Sequence, residues 1–350
     1  ASMIGVDLLR HIREAVCSGT TILWVGDAAQ LPPVGEEQSP AFSGADEVFR
    51  LEHVHRYDGA ILLEAGKIRS AIQEDDRRAP LPQISAGEGV IVYPRGKAGG
   101  WGIAAKEAFR LAQGQADHTV KVVCWTNAAV KTACEAIHKH LYGEDADPWQ
   151  VGQRIVAVNP YSQRTAGGDF STVMTSSEEA EILEVEKVLQ ADGIACWRLT
   201  LRPEFGEVST FVADVVADEG LHRFQERQAE LKTQALMCAP DMNHSDWGGW
   251  CCRCGGVPAK GEQCPVGEDQ KSFVSRRKRA WAVYYQFEEK FLWAEKTYAC
   301  TVHKAQGSTF REVFVNLPDI KKNRDRREML RCLYTAVTRA ATTLHVLSDE

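Results

Sequence analysis

The 350 residues carry 41 lysines and arginines against 48 aspartates and glutamates, a formal net charge of −7, with 44% hydrophobic and 25% charged residues. That length leaves room for two or three domains, each burying its own core, and the charge excludes a surface coated with cations without excluding a local basic groove. No apolar run reaches the roughly 18 residues of a membrane helix, so a spanning helix is not expected.

The chain opens at Ala1-Ser2-Met3-Ile4-Gly5, without an initiator methionine, and reads as the product of a cut. Met3, Val6, Leu9, Ile12 and Val16 recur at three- to four-residue steps, which predicts an amphipathic helix over 3–16. Thr20 to Val25 is a short β-rich run that predicts a strand buried on both faces, ending at Gly26-Asp27. The same alternation predicts a helix over 101–111, a strand over 120–125 and a helix over 128–141. Near the end it predicts a strand over 312–317, a helix over 327–338 and a strand over 343–347. Strands alternating with helices imply an α/β fold, a parallel sheet flanked by helices.

Between these pieces the pattern changes. Ile155 to Val158, Ala180 to Val185 and Trp197 to Leu201 are short strands separated by turns, which suggests a small β-barrel inserted into the α/β domain. From about 217 to 290 come a charged helical stretch, a Gly/Trp/Cys cluster and the basic run Arg276-Arg277-Lys278-Arg279. Aromatics at Trp281, Tyr284, Tyr285 and Phe287 lie beside that run; it reads either as an extension of a nucleic-acid path or as a solvated helix face.

Four segments occur in an order that carries more information than any of them alone. Val25-Gly26-Asp27-Ala28-Ala29-Gln30-Leu31-Pro32-Pro33-Val34-Gly35 resembles motif III of superfamily 1 helicases, and Leu51 to Tyr57 resembles their motif IV. Thr301-Val302-His303-Lys304-Ala305-Gln306-Gly307-Ser308 resembles motif V, and Leu333-Tyr334-Thr335-Ala336-Val337-Thr338-Arg339-Ala340 resembles motif VI. Trp125 to Val130 is similar to an accessory motif that opens a helix of the second motor domain. The form of motif V and the inserted barrel resemble the Dda and RecD type.

This resemblance implies RecA-like P-loop NTPase motor domains, the first of them partial, with an inserted small SH3-like β-barrel. The expected boundaries are 1–55 for the remnant of the first motor domain, 56–150 and 291–350 for the second, and 151–290 for the inserted barrel with its helical and Cys-rich extension. The resemblance further implies 5′ to 3′ translocation on single-stranded DNA and duplex unwinding driven by ATP with Mg²⁺. By it, Gln30, Arg56 and Arg339 serve catalysis, and Gly26, Asp27 and Gly307 join them around the nucleotide. Arginine suits this role because its planar fork stays charged and can bind phosphate oxygens in two places. Pro32, Pro33, Thr126, Asn127, Thr301, His303 and Lys304 would lie along the strand, held by backbone contact and stacking rather than base-edge readout. A non-catalytic nucleic-acid-binding module and an RNA helicase of the same superfamily are the alternatives.

No G-x-x-x-x-G-K-[ST] phosphate loop occurs: the Gly-Lys pairs at Gly66-Lys67 and Gly96-Lys97 lack the earlier glycine and are followed by Ile68 and Ala98. Motif II of the family ends in Ala-Ser after its Asp-Glu, so the magnesium-binding aspartate and water-activating glutamate are expected just upstream of Ala1. The chain alone is therefore expected to be inactive as an ATPase.

Eleven cysteines without a signal-peptide pattern suggest reduced thiols or a metal site in a cytoplasmic setting. Cys251 and Cys254 form C-x-x-C before Gly255-Gly256, and Cys264 comes after; with Cys238, His244 or Cys252 as a fourth ligand they form a candidate zinc site.

Overall fold

The chain forms two units, one of residues 1–146 with 297–350 and the other of residues 147–296. The computed structural model describes all residues except 52, 75, 77–78, 95–98, 116–118, 165–169, 205–209, 238–269 and 349–350. Cys238, His244, Cys251, Cys252, Cys254 and Cys264 lie outside the described residues.

The first unit opens with α1 (Val6–Ala15) and the short α2 (Pro40–Ser43), followed by α3 (Gly59–Glu74) and β1 (Val90–Tyr93). Next come α4 (Gly100–Ala112), β2 (Val120–Cys124) and α5 (Asn127–Tyr142). The second unit then runs through β3 (Arg154–Ala157), β4 (Tyr161–Arg164), β5 (Phe170–Met174), β6 (Glu179–Leu189), β7 (Ala195–Pro203) and β8 (Phe211–Val216). It closes with α6 (Leu221–Met237), α7 (Gln270–Glu289) and β9 (Ala294–Lys296). The chain re-enters the first unit with β10 (Ala299–Thr301), α8 (Val302–Ala305), β11 (Phe310–Asn316), α9 (Leu317–Ile320), α10 (Arg326–Val337) and β12 (Ala340–Leu347).

The first unit is built on a five-stranded sheet in the order β1-β12-β11-β2-β10, every pairing parallel. Its central strands are apolar runs because helices cover both faces: every residue of β2 is buried, and so are Val313, Phe314 and Val315 of β11. On one face α3, α8 and α10 bury Ile61, Ile68, Val302, Leu330 and Val337; on the other α4 and α5 bury Phe109 and Ile137 with Phe314. The helices flanking the motifs start at polar caps. Thr126, Thr301 and Asp325 each accept a hydrogen bond from the backbone N–H three residues on, at Ala129, Lys304 and Glu328. With Glu328 three residues after Asp325, the start of α10 has the sequence form of a capping box.

The strand expected over Thr20 to Val25 does not form. The segment is extended but pairs with no strand among the described residues, and Leu23 and Val25 are 81% and 69% exposed. A strand read from an apolar run needs a neighbouring strand for its backbone N–H and C=O groups, whereas here only the Ala1 amino group is seen to donate, to Val25 O at 2.6 Å, among the described residues. The edge strand β1 and helix α3 carry weak local signals, because Val90 to Tyr93 is a short run between loops and the buried face of α3 includes the charged Glu64 among Ile61, Ala65, Ile68 and Ile72.

The second unit is an antiparallel sheet in the order β8-β7-β6-β3-β9, with the hairpin β4–β5 forming its own two-stranded sheet. The sheet curls until its two edges meet: Leu292 N donates to Asp214 O at 2.9 Å and Phe291 bridges Asp214, joining β8 to the residues just before β9. Alternating residues Ile182, Leu199, Leu201, Phe211 and Ala213 point inward and form its core. The helices α6 and α7 pair beside it around Phe224, Leu231, Phe287 and Phe291.

Candidate nucleotide and strand-binding site

Gly26 to Gly35 form a loop tied to α3 and α10 within the first unit. Asp27 Oδ1 accepts from Ala29 N at 3.0 Å, and its Oδ2 accepts from the Tyr334 hydroxyl at 2.7 Å and from Arg69 NH1 at 3.3 Å. Arg69 NH1 also donates to the Tyr334 hydroxyl at 3.0 Å. Burial, with Asp27 second, raises the Tyr334 pKa and keeps the phenol protonated as the donor to Asp27. Gly26 is obligatory for a steric reason, since a Cβ there would meet the Phe42 ring at 2.9 Å and the Ala1 and Ser2 nitrogens at 3.0 Å. Gln30 Oε1 accepts from Gln306 Nε2 at 3.4 Å, and Gln306 also donates to the Ser2 hydroxyl at 2.8 Å. Gln306 thus links the loop to the segment after α8.

Arg339 is 1% exposed and makes no ion pair among the described residues. Its Nε donates to Thr335 O and its NH1 to Ser308 O, both at 3.0 Å, and its NH2 donates to Thr338 Oγ1 at 3.1 Å. Arg56 NH1 donates to Thr338 O at 3.2 Å. Burial, and after it the neighbouring Arg56 charge, lower the Arg339 pKa to about 10. Among the described residues neither guanidinium makes an ion pair, and Asp27 is the weakest of the neighbours acting on Arg339, so an arriving anion would meet two cations close together. Gly307, at φ 93°, lies in the left-handed region that favours glycine and turns the chain after α8 toward Ser308, the acceptor for Arg339.

The segment Trp125-Thr126-Asn127 is held from behind by Asp319. This carboxylate is 2% exposed and accepts from Trp125 N and Thr126 N at 2.8 Å, from Thr126 Oγ1 at 2.9 Å and from Lys322 Nζ at 2.7 Å. The Thr126 hydroxyl thus has its proton committed to Asp319 and a lone pair committed to Ala129 N, whereas Asn127 is exposed at the first turn of α5. Thr301 likewise spends its hydroxyl oxygen on the Lys304 N–H, placing His303 half-buried and Lys304 exposed on the single turn of α8. Pro33 is buried and Pro32 half-buried in the loop after Gln30. Tyr57, Arg69, Gln306, Asp319 and Tyr334 are site residues that sequence reasoning does not single out. Gln306 and Tyr334 lie inside the motif segments, while Asp319 and Arg69 have no local signal.

The arrangement is a parallel α/β sheet with Arg339 buried between its last helix and last strand. Residues 296–347 match the UvrD-like helicase C-terminal domain. A 67-residue stretch is 37% identical to the uncharacterized protein R530 of Acanthamoeba polyphaga mimivirus, covering 19% of this chain and 14% of that protein. Among solved structures, the Pif1 helicase from Candida albicans aligns at 12% identity and a TM-score of 0.42, over 93% of this chain and 63% of that one. The Pif1 helicase from Bacteroides in complex with ADP-AlF3 and ssDNA aligns at 12% identity and a TM-score of 0.45, over 100% of this chain and 69% of that one. The chain thus spans under two thirds of the fungal structure, and its matched stretch is a small part of the viral relative.

Proposed function

We propose that this chain is the C-terminal portion of an ATP-dependent DNA helicase that couples hydrolysis to 5′ to 3′ translocation on single-stranded DNA and duplex unwinding. The observation that carries the reading is the pair Arg339 and Arg56, converging without a carboxylate partner beside the loop that holds Asp27 and Gln30. Loss of the γ-phosphate would remove the anion that these two cations lack, and the loop, tied to motif VI through Asp27 and Tyr334, would respond. ATP would supply the phosphoryl group and Mg²⁺ would neutralise its developing charge; the residues that would face the terminal phosphate are Gln30, Arg56 and Arg339. Gly26, Asp27 and Gly307 shape the surrounding backbone.

Asn127, His303 and Lys304 would meet the DNA backbone, with Thr126, Thr301, Pro32 and Pro33 shaping the loops that present them. We assign the curled second unit, with its inward-alternating strands, to an inserted SH3-like barrel, and residues 1–55 to part of a first RecA-like domain. No helix among the described residues is long and apolar enough to cross a membrane. The cysteines at 17, 124, 134, 196, 300 and 332 lie outside disulfides among the described residues, and we propose a cytoplasmic setting.

Because the 350 residues contain no phosphate loop, the purified chain is expected to bind a labelled single-stranded oligonucleotide without DNA-stimulated ATP turnover. Measurable turnover by this chain would contradict that expectation, and tighter binding to RNA than to DNA of the same sequence would reassign the substrate. For the segment 238–269, which lies outside the described residues, we propose that Cys251, Cys254 and Cys264, with Cys238 as the fourth ligand, hold zinc. Elemental analysis of the purified chain should give about one equivalent; less than a tenth of an equivalent would dispose of the site.

A further inference from the structure

The second unit pairs its arginines closely. Arg154 contacts Glu179 and Glu204, Arg198 contacts Asp214, Arg202 contacts Glu181, Arg223 contacts Glu226 and Arg227 contacts Glu230. Arg277, Lys278 and Arg279 on α7 are exposed and make no ion pair among the described residues. Three adjacent uncompensated cations in a chain of net charge −7 are a local exception that offers charge complementarity to an anion.

The aromatic residues one and two turns further along α7 narrow the kind of anion. At 100° per residue, Arg277, Lys278, Trp281 and Tyr285 share one face, with Trp281 four residues after Arg277 and Tyr285 four after Trp281. Trp281 and Tyr285 lie with ring centroids 5.7 Å apart at 28°, and Tyr285 is 51% exposed. Tyr284, one residue earlier, turns inward and donates to Glu288 at 2.8 Å, so the two tyrosines have separated roles. The strip from Arg277 to Tyr285 is about 12 Å long and rigid, because α7 packs on α6 through Phe224 and Phe287. Cations beside the exposed Tyr285 ring, which is backed by the half-buried Trp281, suit a strand that carries both phosphates and unpaired bases. An acidic peptide would use only the charges, and a duplex hides its base faces.

We propose that the α7 strip Arg277, Lys278, Trp281 and Tyr285 is a second single-stranded nucleic-acid contact, built on the second unit and separate from the motif segments. It goes beyond the motor reading and does not depend on it. The test uses the full chain and a fluorescein-labelled 16-mer of dT, titrated at several salt concentrations. Arg277→Ala with Lys278→Ala is expected to reduce the slope of log affinity against log salt by about 1.4, as loss of two phosphate contacts on a single strand requires. Tyr285→Ala should weaken binding at least about five-fold, and Tyr285→Phe should restore it, since stacking on one base contributes about 1 kcal/mol or more.

Lys304→Ala, in the motif segment, separates the two readings. A loss with Lys304→Ala alone overturns the α7 site and keeps the motor reading. A loss with the α7 variants alone keeps the site and removes the motif contact. An unchanged salt slope in the double variant, equal affinity for a 16-base-pair duplex, competition by polyglutamate as effective as by unlabelled dT, or no binding of the 16-mer at all would each overturn the proposal.

Discussion

Arg339→Met is expected to leave the thermal midpoint of this chain within about 4 °C of the parent while lowering ATP turnover at least about 1,000-fold in any longer form of the protein that supplies a phosphate loop. Stability and turnover respond differently to one geometry. Arg339 is buried without a countercharge, and its pKa is held down to about 10, first by burial and then by Arg56. A cation whose pKa is lower in the fold than in the unfolded chain opposes folding wherever it is charged. The penalty is complete below about pH 10 and fades as the pH rises above it toward the ordinary arginine value. Methionine removes that penalty but leaves the Thr335 and Ser308 carbonyls without their donor, so the two changes offset. Turnover would have no such compensation under the proposed role, because the cation proposed to meet the phosphoryl charge is gone. A midpoint lowered by more than about 10 °C would make Arg339 a structural residue, and turnover retained within about ten-fold would remove it from catalysis.

Asp319→Ala should act the other way, through stability and strand binding together. Its carboxylate accepts from Trp125 N, Thr126 N, Thr126 Oγ1 and Lys322 Nζ, and alanine would leave buried donors unpaired, at a cost of about 3 kcal/mol. The Thr126 cap and the exposed Asn127 would lose their anchor, so oligonucleotide binding should weaken in parallel. Asp319→Asn keeps one acceptor oxygen and should fall between the two.

The pH dependence separates this role from simple packing. Burial pushes the Asp319 carboxyl up, but Lys322 and the donors at Thr126 and Trp125 outweigh it and hold the pKa below its usual value. Its contribution is therefore complete above the unfolded carboxylate pKa near about 3.9 and is lost as the pH falls through the lower folded value. The stability difference between parent and Asp319→Ala should be constant from about pH 5 to 7 and narrow progressively as the pH falls below about 4. A difference that does not narrow in acid would mean that the charge of Asp319 contributes nothing.

The sequence alone determined the elements whose signals are local. Thr126, Thr301 and Asp325 sit at helix starts because their side-chain oxygens satisfy N–H groups three residues on, and β2 and β11 read as buried parallel strands because their apolar runs are continuous. The motif segments, and with them Gln30, Arg56 and Arg339, were legible through their order along the chain.

Only the tertiary structure decided what those residues face. Asp319 lies 193 positions from Thr126 and Arg69 lies 265 from Tyr334, and nothing in the spacing predicts either contact. The Thr126 and Thr301 hydroxyls, read as ready for phosphate, are partly spent within the fold, and the Thr20 to Val25 segment, read as a strand, pairs with no strand among the described residues. The physical reason is the same in each case. A cap, an amphipathic face or an apolar run is specified by neighbours a few residues away, whereas hydrogen-bond satisfaction, strand pairing and the absence of a countercharge around Arg339 depend on groups that the chain brings together only when it folds.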